Sequence, residues 1–331
     1  MSNNSKKVSV IVPVYNAEQY LTQTLGNLVH QTLEGIEIII VNDASTDNSL
    51  SILMECERQF PEKIMLINSD INRGAGGARN VGLDYATGEY IGFADCDDIV
   101  ATDMYEKLYN TAKEHNADIV DSGYIYEKDG GAILHTSDDL TGVLDAKKRS
   151  GLIVSGGYIV SRIFKRQLIE DPRLRFRERV ILEDADFLTY LLATAGSIYN
   201  VKEILYCYKD RPDSLSKLQD TNKYYTNITE AMSAIYDKTY RLSNYDDIKD
   251  AVEYEILQMY SYGVNILLHS YKINEKSSDE VLSLLTKIAS LKKELISGGY
   301  NNSYVQNKIN TTDIQIMKLN DIDSEKLLQL L

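Results

Sequence analysis

Short strand-like runs alternate with helical stretches up to Tyr126, and this alternation limits the folds open to the chain. The runs are rich in β-branched and aromatic residues, and they comprise VSVIVPVY (8–15), IEIIIVN (36–42), KIMLIN (63–68), EYIGFA (89–94) and ADIVDSGYIY (117–126). Between the first two runs, apolar residues recur at three- and four-residue steps, as in an amphipathic helix. Strands that alternate with such helices predict βαβ units and a parallel sheet covered by helices on both faces.

Residues past Asp220 show a different pattern. Three long stretches, 222–243, 246–272 and 277–296, carry apolar residues at helical spacing without strand alternation. The last begins with Ser277 and Glu280, the pattern of a capping box. A chain of 331 residues also exceeds the roughly 250–300 at which a single core stops growing. The sequence therefore predicts two domains, an α/β domain over 1–219 and a helical region over 220–331.

Composition and charge limit the classes of protein to which this chain can belong. The residues are 44% hydrophobic and 25% charged, which is ordinary for a folded soluble protein. A formal net charge of −14 predicts repulsion from nucleic acid and from anionic membranes, so we expect no nucleic-acid partner. The three cysteines are widely spaced and predict reduced thiols rather than a disulfide framework or a zinc site.

The beginning of the chain carries no targeting or spanning signal. It is polar, and its first apolar run, VSVIVPVY, is far shorter than the roughly 18 residues that cross a bilayer. We therefore expect a cytoplasmic protein, with peripheral contact at the inner face of the cell membrane left open.

Polar residues follow several of the predicted strands. Pro13 and Tyr15 end the first strand, Asp43 follows the second, and Asp95 and Asp97 follow the fourth. Ligands of parallel α/β sheets bind at the carboxyl ends of the strands. The sequence therefore predicts a site where these residues meet.

The acidic run after the fourth strand suggests a metal site. Asp95 and Asp97 alternate with Cys96, so a strand that continued through them would place both carboxylates on one side. Two such carboxylates can share a hard divalent cation, whose other ligands are waters and substrate phosphates. The alternative is that the acids cap the next helix, which begins near Asp103.

A glycine-rich segment, NRGAGGARN (72–80), raises the alternative of a dinucleotide-binding loop. Such a loop follows its strand at once, but here SDINR intervenes, and Arg79 replaces the third glycine of the fingerprint. We therefore expect Gly74, Gly76 and Gly77 to form a mobile turn that leads into a helix over 78–86. The chemistry is assigned to the acids rather than to the glycines.

A further candidate carboxylate lies in ILEDADFLTYLLATAG (181–196). Phe187 and Leu188, with Leu191 and Leu192, define the buried stripe of a helix, and Asp184 lies on that same side. A base placed there can take the proton of an attacking hydroxyl. The alternative is that Glu183 and Asp184 only complement the helix dipole in its first turn.

Two basic motifs carry weaker signals. In DPRLRFRERV the arginines recur at period two, so an extended chain would line them on one side: Arg173, Arg175, Arg177 and Arg179. That side would be a clamp for an acceptor phosphate or phospholipid surface, or the solvated face of a half-exposed strand. In YCYKDRPDSLS, Lys209 and Arg211 are candidates to meet a diphosphate.

Together, and in this order, four segments resemble the motifs of family 2 glycosyltransferases with the GT-A fold: VSVIVPVYN, VNDASTDNS, NRGAGGARNVGLDYATGEYIGFADCDD and LEDADF. The resemblance covers residues 7–217. It implies a Rossmann-like, mostly parallel central sheet flanked by helices, here with a helical C-terminal extension. It also implies inverting transfer of a sugar from a nucleotide diphospho-sugar, usually UDP-linked, with Mn²⁺ or Mg²⁺ as cofactor.

The resemblance also implies the role of each residue at the nucleotide. Pro13 and Tyr15 lie at the nucleobase, Asp43 accepts a hydrogen bond from the base, and Arg79 lies near the uridine and the donor sugar. The family commonly has Asp and Gly where this chain has Asn42 and Ala44. The geometry of that loop is therefore expected to differ.

At the reacting end of the donor, the resemblance makes Asp95 and Asp97 the D-x-D element, with Asp97 as the direct metal ligand. Asp184 takes the position of the catalytic base. Lys209, where the family often has Arg, and Arg211 take positions near the diphosphate.

The expected enzyme is a hexosyl- or N-acetylhexosaminyltransferase. It would act on a glycan or lipid-linked acceptor in the synthesis of bacterial cell-surface or capsular polysaccharide. Rival interpretations are a non-catalytic sugar-nucleotide or glycan-binding module and, less favoured, an NAD-type oxidoreductase. The tyrosine-rich C-terminal helices are assigned to acceptor binding, membrane proximity or self-association into a homo-oligomer.

Overall fold

The computed structural model describes residues 6–171, 174–211, 220–296 and 299–330. The chain divides into two compact units. The first comprises Met1–Lys148 and Ser155–Ser214, and the second comprises Arg149–Val154 and Leu215–Leu331. The domain boundary at 219/220 stays a prediction, and nothing in the sequence pattern marks 149–154 as part of the second unit.

The first unit combines strands with helices. Its strands are β1 (Val8–Val14), β2 (Ile36–Asp43), β3 (Ile64–Ser69), β4 (Tyr90–Phe93), β5 (Ile99–Val100), β6 (Ile119–Tyr126), β7 (Ala132–Ile133), β8 (Gly142–Val143), β9 (Arg162–Lys165) and β10 (Ser197–Tyr208). Its helices are α1 (Leu21–Val29), α2 (Ser49–Gln59), α3 (Gly74–Tyr85), α4 (Met104–His115), α6 (Arg166–Ile169) and α7 (Glu183–Thr194), with a 3₁₀ turn at Ile159–Ser161. Helix α5 (Ala146–Ser155) contributes residues to both units.

The strands form one sheet in the order β3-β2-β1-β4-β9-β6-β10-β5, with β7 beside β6 and β8 beside β10. β3, β2, β1 and β4 are parallel, and every residue of β1 and β2 is buried, as expected for central strands covered on both faces. β9 lies antiparallel between β4 and β6, so the sheet is mixed beyond β4. The predicted α/β class with a central sheet flanked by helices is confirmed.

The fourth strand does not continue through the acids, so the condition under which strand alternation would place Asp95 and Asp97 on one side is not met. β4 ends at Phe93, and Cys96 and Asp97 lie in a turn. The Asp98 N–H donates to the Asp95 carbonyl oxygen across this turn, at 3.4 Å. The turn, rather than strand alternation, therefore sets the directions of Asp95 and Asp97.

The prediction that the glycine-rich segment is a mobile turn is wrong. α3 begins at Gly74, and Gly76 and Gly77 are buried within its first turn. A Cβ on Gly76 would lie 2.1 Å from the carbonyl oxygen of Arg177, and one on Gly77 would lie 2.3 Å from the Cβ of Arg73. Gly76 is needed because the segment that precedes α7 packs directly on this turn, and Gly77 is needed because the Arg73 side chain lies against it.

The second unit contains further helices, which confirm the predicted helical C-terminal region: α8 (Thr221–Thr239), α9 (Tyr245–Lys272), α10 (Ser278–Leu295), α11 (Ser303–Lys308), α12 (Thr311–Ile322) and α13 (Ser324–Gln329). The capping box is present, since Ser277 Oγ accepts from the Glu280 N–H and Glu280 accepts from the Ser277 N–H. Within the described ranges, no helix is both long and apolar enough to span a membrane.

Candidate active site

Reciprocal hydrogen bonds tie the loops after β1 and β2 together. The Asn16 N–H donates to Ser45 Oγ at 3.0 Å, and the Thr46 N–H donates to Asn16 Oδ1 at 2.7 Å. Pro13 is buried in β1, whereas the Tyr15 side chain beside these bonds is 50% exposed. The two strand ends are thus fixed with an aromatic ring available at their edge.

Asp43 lies at the end of β2 with an incomplete set of partners. Its Oδ1 accepts from the Arg73 N–H at 2.9 Å, but its buried Oδ2 has no hydrogen-bond partner. Burial raises the pKa of this carboxyl above its ordinary value. A buried oxygen without a donor is uncommon in native proteins, so Oδ2 is available to accept from a ligand N–H.

Arg79 links the acidic turn to helix α7. It is buried, and its Nη2 donates to Asp95 Oδ1 at 2.8 Å while its Nη1 donates to Glu183 Oε1 at 2.5 Å. Burial alone lowers the pKa of a guanidinium, but the charges of Asp95, Glu183 and Asp184 hold the pKa of Arg79 above its ordinary value. The arginine is therefore always charged and bridges segments that are far apart in sequence.

Asp184 lies next to this bridge, in the first turn of α7. Its partial burial, followed by the nearby charges of Glu183 and Asp95, raises the pKa of Asp184 to about 7 despite the opposing charge of Arg79. No side chain among the described residues donates a hydrogen bond to its carboxylate. A carboxyl with a pKa near neutrality can exchange a proton at working pH, as a general base must.

The buried carboxyl of Asp98 helps to hold the acidic turn in place. Asp98 accepts from the Tyr206 hydroxyl at 2.7 Å and from the Lys209 N–H at 2.9 Å. Burial, and then the charges of Asp95 and Asp97, raise the pKa of Asp98 to about 8. The Tyr206 hydroxyl also lies 3.2 Å from the Asp95 N–H, so β10 holds the turn in place.

Lys209 and Arg211 lie beside the same turn. The Lys209 ammonium pairs with Glu127. The Arg211 Nη2 donates to the Asp97 carbonyl oxygen at 2.6 Å, and its guanidinium lies over the Tyr20 ring at 3.9 Å from the centroid. Its buried Nε has no hydrogen-bond partner. The structure thus brings both basic residues to the D-x-D segment, while their contact with a diphosphate stays a prediction.

Comparison with known proteins identifies the family to which this chain belongs. The family model described as glycosyl transferase family 2 matches residues 9–171. The glycosyltransferase GlyG of Streptococcus pneumoniae serotype 4 is 30% identical over 241 residues, which cover 69% of this chain and 79% of GlyG. This chain is a family 2 glycosyltransferase.

Two further comparisons concern a longer relative and a solved structure. The minor teichoic acid biosynthesis protein GgaB of Bacillus subtilis is 33% identical over 218 residues, covering 64% of this chain and 24% of GgaB. The chain thus spans about a quarter of the length of that relative. The structure of S. aureus TarS 1–349 in complex with UDP-GlcNAc has a TM-score of 0.74 at 20% identity, covering 98% of this chain and 90% of TarS 1–349. This likeness shows a shared fold.

In this family member the arginine-rich motif forms neither the predicted clamp nor the predicted strand face. Arg173 lies outside the described residues, and residues 174–180 are assigned to no strand. Arg177 turns inward to Asp186, with its Nε 2.8 Å from Asp186 Oδ1, and Arg179 donates to the Asn72 carbonyl oxygen. The period-two spacing does not place the side chains on one side because the backbone leaves the extended region, with Arg179 at φ +59°.

The implied divalent cation fits the oxygen ligands of this site. Asp95, Asp97 and Asp98 lie within four residues, and carboxylates are the ligands that Mg²⁺ and Mn²⁺ prefer. Among the described residues, no group of three or more His, Cys, Asp or Glu side chains is arranged to hold a metal ion. The set therefore suits a cation that takes one or two carboxylates and completes its shell with waters and donor phosphates.

Sequence reasoning missed two contributors to the site. The sequence pattern indicates for Glu183 only an acid that complements the helix dipole, yet Glu183 pairs with the buried Arg79. Tyr206 was not singled out, although its hydroxyl contacts both Asp95 and Asp98. An acid next to Asp184 signalled the first, whereas no pattern signals the second because its partners lie on another segment.

Proposed function

We propose that the chain transfers a sugar, with inversion, from a UDP-linked donor to a hydroxyl of a bacterial cell-surface polymer. The observation that carries the proposal is the buried Arg79, which joins Asp95 of the D-x-D turn to Glu183 beside Asp184. The bridge supports the proposal because Asp95 would serve the metal diphosphate and Asp184, which follows Glu183, would serve as the base.

The nucleotide end of the donor is assigned to the ends of β1 and β2. Asp43 Oδ2 would accept the ring N–H of uracil, since it is buried and has no other donor. The half-exposed ring of Tyr15 would lie against the base. The TarS structure with UDP-GlcNAc supports a uridine nucleotide as the first candidate.

Asp97 and Asp95 would hold Mn²⁺ or Mg²⁺ together with the donor diphosphate. When bound, the cation offsets the negative charge that develops on the departing diphosphate. Arg79 and Arg211 add positive charge around the same segment, and Lys209 contributes its backbone N–H to Asp98 while its ammonium pairs with Glu127. Arg79 would also keep Asp95 in a fixed orientation, because it binds that carboxylate from the buried side.

Asp184 would be the base. An acceptor hydroxyl oxygen forms a bond to the anomeric carbon, the bond from that carbon to the diphosphate oxygen breaks, and the hydroxyl proton passes to the Asp184 carboxylate. The bonding electrons leave with the nucleoside diphosphate. With a pKa of about 7, Asp184 is a stronger base than an ordinary carboxylate and is still largely ionised above neutral pH.

The acceptor class is inferred from the relatives. GgaB is named for minor teichoic acid biosynthesis, which supports a cell-wall or other surface polymer. We propose a glycan or lipid-linked acceptor, a hexosyl or N-acetylhexosaminyl donor group, and action in the cytoplasm at the inner face of the membrane. Self-association through the C-terminal helices belongs to the same proposal.

The test is calorimetric titration of the chain with UDP, UDP-glucose and UDP-N-acetylglucosamine, each with Mn²⁺ and with EDTA, beside NADH as a control ligand. Donor hydrolysis is measured in the same buffers. We expect UDP binding and slow hydrolysis that both need the cation. Binding of a UDP-sugar without any turnover would support the non-catalytic module instead, and binding of NADH alone would support the oxidoreductase.

A further inference from the structure

Four tyrosines lie together near the carboxyl ends of β6 and β10, and we call them the tyrosine cluster: Tyr124, Tyr126, Tyr158 and Tyr208. Tyr208 on β10 pairs in register with Tyr126 on the parallel strand β6. Ring centroids lie 5.3 Å apart for Tyr124 and Tyr158, 5.6 Å for Tyr124 and Tyr126, and 5.5 Å for Tyr126 and Tyr208. The interplanar angles of 72°, 82° and 73° are favourable edge-to-face contacts, so the rings support one another.

A fixed turn presents Tyr158 at the edge of the cluster. Gly156 and Gly157 precede it with φ of +67° and +115°, which only glycine adopts readily. A Cβ on Gly157 would lie 2.6 Å from Arg162 Nη2, and that nitrogen donates to the Gly156 carbonyl oxygen at 3.0 Å. The buried Arg162 thus holds the turn, and the Tyr158 side chain remains 39% exposed.

Hydrogen bonds fix the ring orientations before any ligand binds. Burial, and then the charge of Arg162, lower the pKa of His135 to about 4, so this ring is neutral. Its Nδ1–H donates to the Ser155 carbonyl oxygen at 2.9 Å, and its Nε2 accepts from the Tyr124 hydroxyl at 3.1 Å. The hydroxyls of Tyr126 and Tyr158 bond to each other at 2.8 Å, at the exposed rim.

The tyrosine cluster lies beside the acidic turn, because Tyr208 directly precedes Lys209, whose backbone N–H donates to Asp98 Oδ1 at 2.9 Å. Burial, the hydroxyl of Tyr126 and the negative charge of Asp184 all raise the pKa of Tyr158, so its phenol stays neutral. None of the donor motifs uses this cluster. An exposed aromatic ring beside the acidic turn, and outside the donor motifs, is therefore available to contact an acceptor.

We infer that the exposed face of Tyr158 is the stacking platform for the acceptor, a neutral sugar or polyol residue whose C–H face lies on the ring. Its hydroxyls would bond to the hydroxyl pair of Tyr126 and Tyr158, which can both donate and accept. Lys209 is already paired with Glu127 and Arg162 faces Asp121, so the platform suits the neutral part of an acceptor rather than a phosphate. The inference rests on the proposed function, because it takes Asp184 as the base.

The test is saturation-transfer NMR with two soluble probes, ribitol and methyl β-D-glucopyranoside, in the presence of UDP and the diamagnetic cation Mg²⁺. The proteins are the wild type, Tyr158→Ala, Tyr158→Phe and the control Tyr85→Ala, which removes a somewhat more exposed tyrosine from α3. We expect saturation of the C–H protons of at least one probe by the wild type. Tyr158→Ala, which removes the ring, should weaken the saturation about 3- to 10-fold, the range of one aromatic contact. Tyr158→Phe and Tyr85→Ala should keep most of the saturation.

Equal saturation by the wild type and Tyr158→Ala would overturn the inference, and so would the absence of saturation of both probes. UDP affinity measured on the same samples separates the two proposals. Wild-type protein that binds UDP but fails the probe test refutes only the platform, whereas wild-type protein that does not bind UDP refutes the proposed function. Unchanged UDP affinity of Tyr158→Ala also shows that the variant is folded.

Discussion

The two units differ in how fully the hydrogen bonds of one central buried carboxylate are satisfied, that of Asp321 in the helical unit and that of Asp43 in the sheet unit. In the helical unit, the carboxylate of Asp321 accepts from the hydroxyls of Tyr260 and Tyr300 and from the Lys292 ammonium, each at 2.8 Å. In the sheet unit, Asp43 Oδ2 and Arg79 Nε are buried without a hydrogen-bond partner. The Asp321 carboxylate is thus well paired, although the neighbouring Asn320 Oδ1 is buried without a hydrogen-bond partner, whereas Asp43 and Arg79 at the strand ends are only partly satisfied.

This difference indicates where a ligand is needed. A buried polar group without a partner costs free energy, and such groups persist where binding or catalysis requires them. A satisfied network instead rigidifies its surroundings and specifies the packing. We therefore expect substitutions in the sheet unit to change ligand binding and rate, and substitutions in the helical unit to change stability.

The largest effect is expected for Asp97→Ala. Without this carboxylate the donor diphosphate loses its main means of holding a cation, so sugar transfer should fall to background and Mn²⁺-dependent UDP binding should disappear. Calorimetry with UDP and a transfer assay measure both. The control Asp103→Ala breaks only an exposed ion pair with Lys107 and should leave both unchanged. Full activity of Asp97→Ala in EDTA would refute the metal assignment.

Asp184→Asn should separate the base from the nucleotide site. The amide keeps the size of the side chain but cannot accept the hydroxyl proton, so transfer should fall roughly 10²- to 10⁴-fold. UDP and Mn²⁺ affinity should hardly change, as for the exposed control Asp84→Asn. A near wild-type rate would leave Asp184 as an acid that only complements the helix dipole. Loss of UDP binding would make its role structural.

Asp321→Ala tests the expectation that substitutions in the helical unit change stability. It would leave the Lys292 ammonium, whose side chain is 4% exposed, without its partner. Breaking a buried pair in this way typically costs about 3–5 kcal/mol of the free energy of unfolding. Urea denaturation should show this loss, with Asp313→Ala, which removes a single hydrogen bond from the uncharged Asn265 amide, as the milder control. Loss of UDP affinity in the folded variant would contradict the division of roles.

The pH dependence of transfer should follow Asp184. Its carboxyl is protonated and inactive as a base below its raised pKa of about 7, so the rate should rise with pH through that value and level off above it. Below pH 7 the fall should approach tenfold per pH unit, because only the ionised fraction reacts. The profile is measured at saturating donor and compared with Asp184→Asn. A slope of the same size in that variant would assign the titration to another group.

The smallest effect is expected for Ser277→Ala at the start of α10. The variant loses the capping bond to the Glu280 N–H and should lower the free energy of unfolding by about 1 kcal/mol. Ser277→Asn, which caps comparably well, is the matched variant and should be close to neutral. Thermal or urea denaturation checks both. Any change in UDP affinity would show that the helical unit influences the donor site.

Local patterns in the sequence determined most of the architecture. The period and composition of the apolar runs are enough to predict β1, β2, β3, β4 and β6 and the helical C-terminal region. A strand that is buried on both faces needs a continuous apolar run, and a helix that is buried along one stripe needs apolar residues at three- and four-residue steps. The same holds for the capping box at Ser277, whose two partners lie within one helical turn. The spacing of the motifs also placed the chain in its family.

Only the tertiary structure decided how the site is held together. The pairing of Arg79 with Glu183 joins residues 104 positions apart, and the hydroxyl of Tyr206 reaches Asp98 across 108 positions. Gly76 is buried within the first turn of α3 because the carbonyl oxygen of Arg177 lies where its Cβ would be. The insertion of β9 antiparallel between β4 and β6 likewise depends on a strand of four residues. Such contacts leave no periodic signal, since each depends on two distant segments whose meeting is fixed by the packing of the whole sheet.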